Sequence, residues 1–283
     1  PAQVSLHHLT DSIICDPLQN PLITQSSNHR DNVDTTKLCR LLRLGEVKAV
    51  NRPETDQRAI FKAAVQHYGD LRDQLVGLKN KIKAMYRQWG VIDVFTDSVY
   101  STSGRDKFLN QVNHHPICFQ LKRLYDLMDH TAAIKQDAQK SMTSLGRNYP
   151  EMKEFKKRPG MGPIGAQTFD AYIQTPHRFA KRSRLWRYCR LGVTDHSSDG
   201  KPLGYKRLDK SGVSELKALS YRAFLSAIKG DNEVKRFYLN SLQRTHDRKH
   251  ARLNTQRKIL SVMLSIWKKG TAYRPELFLD PSI

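Results

Sequence analysis

The residues of this chain best suited to chemistry lie between Arg158 and Gly212. Three elements follow one another there: Arg158-Pro159-Gly160-Met161-Gly162-Pro163-Ile164-Gly165, then His196-Ser197-Ser198-Asp199-Gly200-Lys201, then Lys210-Ser211-Gly212. The first is a glycine-rich turn opening onto a helix, which offers backbone N–H groups to a phosphate. The second sets two adjacent hydroxyls in a polar, Gly-containing loop between arginine-rich helices. A serine attacking a phosphodiester must lose its proton, and the charge growing on the phosphoryl oxygens must be compensated. Lys201, Lys206, Arg207 and Lys210 suit the second task and His196 the first. A simple turn with an exposed histidine accounts for the same residues.

A further pair, Asp31 and Asp34, has Asp-x-x-Asp spacing at the start of a predicted helix. At i and i+3 two carboxylates share one side of a turn and suit a hard divalent cation such as Mg²⁺. Acids facing the positive end of a helix dipole fit the spacing equally well. Around the glycine turn, Gly160 and Gly162 with Lys156, Lys157 and Arg158 resemble the hairpin of helix-hairpin-helix DNA-binding modules. A tight helix connection with incidental lysines is the alternative. Residues 178–190 hold Arg178, Lys181, Arg182, Arg184, Arg187 and Arg190 with Trp186 and Tyr188 and no acid. That is a nucleic-acid pattern or a solvated face.

The charge balance favours a polyanion partner. The chain has 283 residues and a formal net charge of +21, and residues 151–283 hold 28 Lys/Arg against 12 Asp/Glu. The positive field therefore belongs mainly to that half. No apolar run is long enough to span a bilayer, and the start has no secretory pattern. Cys15, Cys39, Cys118 and Cys189 form no C-x-x-C pair, which fits a reducing compartment and reads as four small buried hydrophobes.

Three regions position these residues, in an α/β plus mostly α fold. Residues 1–53 read as the end of an α/β unit, with Ser12-Ile13-Ile14-Cys15 as a short buried strand. Asp34 would cap a helix that carries Leu38, Leu41 and Leu42 on one face and ends at Gly45, and Val47-Lys48-Ala49-Val50 is a candidate extended segment. Residues 54–150 read as a long antiparallel coiled-coil hairpin. Phe61, Ala64, Tyr68, Leu71, Leu75, Leu78, Ile82, Met85 and Trp89 give one heptad seam over 54–88. A second helix starts at Pro116. Residues 151–283 read as a helical domain whose last helix, Arg248 to Lys269, has one apolar and one basic face.

In these residues the chain resembles the DEDD-type transposases of the insertion-sequence one-ten family, nearest its one-one-one-one subgroup. The matching elements include Asp31-Asn32-Val33-Asp34, Pro159-Gly160-Met161-Gly162-Pro163-Ile164, Leu191-Gly192-Val193, His196-Ser197-Ser198-Asp199-Gly200-Lys201, Lys210-Ser211-Gly212 and Gly270-Thr271-Ala272-Tyr273. The resemblance implies an RNase H-like (RuvC-like) domain, of which residues 1–53 are the C-terminal part. It implies a coiled-coil region over 54–150 and a transposase domain over 151–283 with a nucleophilic serine, Ser198, with Ser197 in reserve. It also implies Mg²⁺ on Asp31 and Asp34, a bridge RNA pairing with donor and target DNA, assembly of two or four copies through the coiled coil, and a cytoplasmic, nucleoid-associated place. Nucleic acid would meet Lys156, Lys157, Arg158, Gly160, Gly162, Arg182, Arg184, Arg187, Lys201, Arg207 and Lys210. The family's metal site has four acids, and its first Asp and Glu are expected upstream of Pro1. Asp199 stands where the family more usually has Gly. A binding scaffold derived from such an enzyme is the alternative function.

Overall fold

The structure, a computed structural model, describes residues 13–15, 20–24, 31–47, 55–198 and 201–279, with the backbone alone for 21, 24, 195–198 and 201–206. The chain divides into two compact units, Pro1–Pro53 and Glu54–Ile283.

In the first unit a short helix α1 (Pro21–Thr24) precedes α2 (Asp31–Arg43). Asp31 and Asp34 lie in the first turn of α2 and Arg40 and Arg43 in the last, so charges at both ends oppose the helix dipole. Gly45, at φ 67°, closes the helix: its N–H bonds to the Leu42 carbonyl and that of Glu46 to the Leu41 carbonyl, a Schellman closure. Two expectations are corrected. Leu41 is buried but Leu42 is 56% exposed, because neighbours on a helix point about 100° apart. Ile13 and Ile14 are exposed rather than in a buried strand, and Cys15 makes only an isolated β-bridge. Residues 48–50 of the second extended candidate lie outside the described residues. Of the four cysteines only Cys189 is buried, and all four are free thiols.

The second unit begins with α3 (Asp56–Gln88), capped by the Thr55 hydroxyl, which accepts from the Arg58 N–H. A connector with α4 (Thr102–Leu109) leads to α5 (His115–Gly146). The two long helices pack antiparallel. Near the start of α3, Phe61 meets Tyr149 just beyond α5 at 5.0 Å between rings. At the other end the Tyr125 hydroxyl donates to the Val99 carbonyl at 2.8 Å and hydrogen-bonds with the Tyr86 hydroxyl at 3.1 Å. Burial drifts off the predicted seam, taking in Val65 and Tyr86 and leaving Trp89 38% exposed beside His114. A helix of 3.6 residues per turn rotates away from a 3.5-residue stripe by about 20° per heptad, which accounts for the drift. The far end has its own small core of Val91, Val94, Val99, Phe108, Leu109 and Val112.

At the near end Phe61, Val65, Tyr68 and Met142 enter the main core. The rest of that core comes from α6 (Glu151–Lys156), α7 (Pro163–Ile173), α8 (Arg182–Tyr188), α9 (Ser214–Ala227), α10 (Glu233–Thr245) and α11 (Arg248–Lys269). A two-stranded ribbon, β1 (Val193–Ser198) and β2 (Lys201–Leu208), interrupts the helices. The predicted two-faced α11 is corrected: it is buried on most sides, and even Lys258 is only 7% exposed.

One guanidinium fastens the long helices to this core. Arg58 donates to Asp170 Oδ1 at 2.8 Å and to Glu151 Oε1 at 2.6 Å. It also stacks 4.4 Å from the Tyr149 ring centre and 5.2 Å from that of Trp267. The Asp170 side chain has no exposed surface. Burial lifts its pKa well above the carboxylate range, Arg58 pulls it back, and Glu151 raises it further. A carboxyl whose pKa is raised on folding favours the folded state most at low pH and loses that advantage as pH rises through the raised value. We therefore expect the wild type to lose stability relative to Asp170→Asn as pH climbs from about 4 toward the raised value. Urea unfolding at a series of pH values measures this, and a difference that grows in favour of the wild type would contradict it.

Candidate functional site

The serines predicted to lie in a loop between helices lie instead on the β1–β2 ribbon. Val193 pairs with Leu208, Thr194 with Arg207, Asp195 with Lys206, Ser197 with Pro202 and Ser198 with Lys201. The register shifts between Asp195 and Ser197, so His196 falls at a bulge. Only Asp199 and Gly200, outside the described residues, separate the strands. An Asp-Gly pair between alternating residues is the sequence signal for such a hairpin, whereas the adjacent serines with a histidine and a lysine also fit a polar loop. Ser198 therefore sits at the end of its strand, directly across from Lys201 in the register.

The root of the ribbon is locked by residues that the sequence suggested for phosphate contact. After α8 the chain reverses at Arg190, whose φ is 54°. The Leu191 and Gly192 N–H groups then bond to the Trp186 carbonyl at 2.7 and 2.9 Å. On the returning side Asp209 donates its N–H to the Gly192 carbonyl, and its carboxylate accepts from the Ser211 N–H at 2.8 Å and hydroxyl at 2.6 Å. Those two bonds, with Arg187 3.4 Å away, hold the Asp209 pKa below its ordinary value. The Val213 N–H bonds to the Tyr188 carbonyl at 2.7 Å, and Arg257 grips the Leu191 carbonyl through Nε at 2.8 Å and Nη2 at 2.6 Å. Gly212 lies at φ 99°, and a Cβ there would stand 2.4 Å from the Tyr188 carbonyl oxygen. Lys210-Ser211-Gly212 is thus a clasp between ribbon and α8. A cavity of about 690 Å³ lies under it, with Leu191, Val193, Leu208 and Leu253 as apolar walls and Lys217 and Arg252 as cations.

The glycine turn is used in a similar inward way. Arg158 is a correction: it is 2% exposed, donates to the Ile259 carbonyl and lies 5.5 Å from the centre of the Phe278 ring. Burial lowers its pKa to about 10, with Tyr273 and Glu233 opposing the shift. The Tyr273 hydroxyl donates to Glu233, and its N–H bonds to Glu154 at 2.8 Å, so Gly270-Thr271-Ala272-Tyr273 closes over this buried cation. Gly160, at φ 79°, lets α9 approach: a Cβ would stand 2.1 Å from the Ala223 carbonyl oxygen. Gly162 has open space around it and caps α7. Lys156 is exposed, and Lys157 pairs with Glu154 at 2.6 Å.

On the basic segment Arg182 and Arg184 are exposed, Arg187 reaches Asp209, and Arg178 stacks on Tyr188 at 4.3 Å. Arg207 and Lys210 extend this cationic side along β2 and beyond it, both exposed. In the first unit Asp34 pairs with Lys37 at 3.2 Å. Asp31 and Asp34 supply hard oxygen donors of the kind Mg²⁺ takes. Among the described residues no group of three or more His, Cys, Asp or Glu forms.

Residues 152–239 match the Transposase IS116/IS110/IS902 family. The matched span runs from α6 through the ribbon and α9 into α10, and so contains the serines, the clasp and the glycine turn. It supports a DNA transposase or recombinase function. A comparison with curated proteins finds no match. Among the described residues no helix is long and apolar enough to cross a membrane.

Two outcomes follow from the geometry. Gly212→Ala combines a strained left-handed backbone with a backbone clash and should cost about 2–4 kcal/mol, measured by chemical unfolding. A cost within error of zero would mean that the clasp can open freely. Replacing Arg182, Arg184 and Arg187 together by Ala should weaken DNA binding and make its salt dependence shallower by about two to three units of slope. Two is the closer figure because Arg187 already faces Asp209. An unchanged slope would make this a solvated face.

Proposed function

We propose that this chain is an RNA-guided DNA transposase or recombinase that cuts and rejoins strands through a phosphoserine at Ser198. The observation that carries the proposal is the serine pair at the end of a hairpin whose root is clasped to an arginine-rich helix, within the span that matches a transposase family. In the proposed step the Ser198 oxygen bonds to a backbone phosphorus, one P–O bond of the DNA breaks, and the leaving strand takes a proton as its terminal hydroxyl. The serine proton passes to a base, for which His196 is the candidate. Rejoining reverses the step: a strand-terminal hydroxyl attacks the phosphoserine and the serine is released. The bond energy is kept throughout, and no external energy source is required.

Lys201, opposite Ser198 in the register, offsets charge on the phosphoryl oxygens, while Arg207 and Lys210 at the ribbon root and Arg182 and Arg184 on α8 hold the flanking backbone. Asp31 and Asp34 would hold Mg²⁺, which supplies Lewis-acid polarisation of a phosphate when bound. A bridge RNA pairing with donor and target DNA, and assembly of two or four copies along the long helices, complete the proposal. Exposed Ile60, Val76, Phe119, Leu127 and Ile134 on those helices favour the assembly.

The test is a denaturant-resistant protein–DNA adduct formed by the full-length protein with its RNA. Ser198→Ala should abolish the adduct and leave RNA binding intact, whereas Ser197→Ala should retain it. The opposite pattern moves the nucleophile to Ser197. An adduct that survives both changes removes the serine mechanism, and a wild type that binds both nucleic acids without ever forming one is a scaffold.

A further inference from the structure

The cavity of about 690 Å³ beneath the ribbon root is built from one face each of two helices. Ser214, Lys217 and Tyr221 of α9 and Lys249, Arg252 and Gln256 of α11 line it. Each set has the i, i+3, i+7 spacing of a single helical stripe. Burial is graded along both stripes. Tyr221 and Lys249 are exposed, Lys217 and Arg252 are half-buried, and Gln256 is only 5% exposed. The cavity thus has cations at its mouth and an amide at its back, and Leu191, Val193, Leu208 and Leu253 form its apolar walls.

The amide at the back is held in one orientation. The buried Ser220 hydroxyl donates to the Lys217 carbonyl at 2.8 Å, so it accepts from Gln256 Nε2 at 3.0 Å. The nitrogen of Gln256 is therefore committed to Ser220, and its carbonyl oxygen is left for the cavity. Among the described residues that oxygen accepts from no donor. A buried acceptor without a partner is costly, and it takes an N–H from a ligand or an O–H from water. At the mouth the Arg252 guanidinium lies 5.3 Å from the Tyr221 ring centre, which steadies the ring as a platform. Two carboxylates stand beside the mouth and both are already bonded. Glu215 accepts from the Ser214 hydroxyl at 3.1 Å, and Asp247 accepts from the Lys249 and His250 N–H groups. Lys217, Lys249 and Arg252 outweigh them there.

An apolar slot with one acceptor at its back, and a ring and cations at its mouth, suits a flat heterocycle that carries an N–H and is joined to an anion. An unpaired nucleobase on its phosphate has each of these features. The volume lies within the range of small-ligand pockets. Every common base has an N–H on its pairing edge, so a lone acceptor reads the presence of a base rather than its identity. A base in a duplex has that edge occupied and both faces stacked, and it enters only after leaving the helix.

We propose that this cavity receives one unpaired nucleobase, its N–H on Gln256, its ring against Tyr221 and its phosphate at Lys217 and Arg252. The proposal rests on the reading of the chain as a nucleic-acid enzyme and adds to it a base pocket at the foot of the serine ribbon.

Short labelled strands titrated against the whole protein test it: oligothymidylate and oligouridylate, each also with N3-methylated bases and with abasic positions. Methylation at N3 removes the N–H and keeps the ring, whereas an abasic position removes both. Gln256→Met and Tyr221→Ala change no charge, and thermal unfolding checks that the variants stay folded. Tyr221 is 39% exposed, so Tyr221→Ala carries the test by itself if Gln256→Met does not fold. At least one intact strand should lose about fivefold or more in affinity on N3-methylation, and more when abasic. Gln256→Met should weaken that intact strand by about fivefold and its N3-methylated form by less than about twofold. Tyr221→Ala should weaken the intact strand by about fivefold and leave the abasic one within about twofold. Which strand responds identifies DNA or RNA as the source of the base. Modified strands bound as tightly as intact ones, or a Tyr221→Ala loss of equal size with and without bases, overturn the proposal. A wild type that binds no nucleic acid overturns the proposed function with it. A wild type that binds both strands but shows none of these base-dependent losses overturns this site alone.

Discussion

Arg58 stands in the first turn of a helix 33 residues long, and its guanidinium is held by two carboxylates and two aromatic rings at once. At about 1.5 Å per residue that helix extends roughly 50 Å, so a small rotation at its root becomes a large displacement at its far end. Phe61 and Val65, one and two turns further on, continue the anchorage into the core. Ion pairing alone would not justify burying Asp170, because desolvation offsets much of the attraction. The arrangement holds because the same guanidinium also stacks on Tyr149 and Trp267, adding attraction that does not depend on the charge of Asp170. Removing Arg58 would leave Asp170 buried with Glu151 as its remaining hydrogen-bond partner, a larger loss than the ion pair itself represents.

A second constraint runs through the glycine turn and the clasp. Gly160 and Gly212 both hold left-handed backbone where a neighbouring carbonyl comes too close for any Cβ. Arg158 serves the same packing, carrying its charge inward to the Ile259 carbonyl and the face of Phe278. Residues that resemble a phosphate cradle are therefore spent on helix approach. Among the cations that the sequence suggested for nucleic acid, Lys156, Arg182, Arg184 and Lys210 have exposed side chains. Part of the formal charge of +21 is internal, and the usable field is smaller than composition suggests.

Helices were legible in the sequence because their punctuation is local. Asn232 and Asp247 cap α10 and α11 through side-chain oxygens, Gly270 ends α11 in a left-handed turn, and each signal sits within a few residues of the boundary it sets. What the sequence hid depends on distant partners. Nothing beside Arg158 shows that Ile259 and Phe278 will cover it, and nothing beside Lys258 shows that Phe237 will lie over its ammonium. The ribbon is a different case. Its signal, Asp199-Gly200, was local, but two serines with a histidine before them and a lysine after them also describe an exposed loop.

A two-stranded ribbon has little stability of its own in water. Its shape has to be imposed from the root, and here both strands are fastened to one helix. Leu191 and Gly192 bond to Trp186 on the outward strand, and Val213 bonds to Tyr188 after the return. Arg257 ties the same root to α11 through the Leu191 carbonyl while lying over Trp186. Trp186 and Arg257 thus join the ribbon root to α8 and α11 at once.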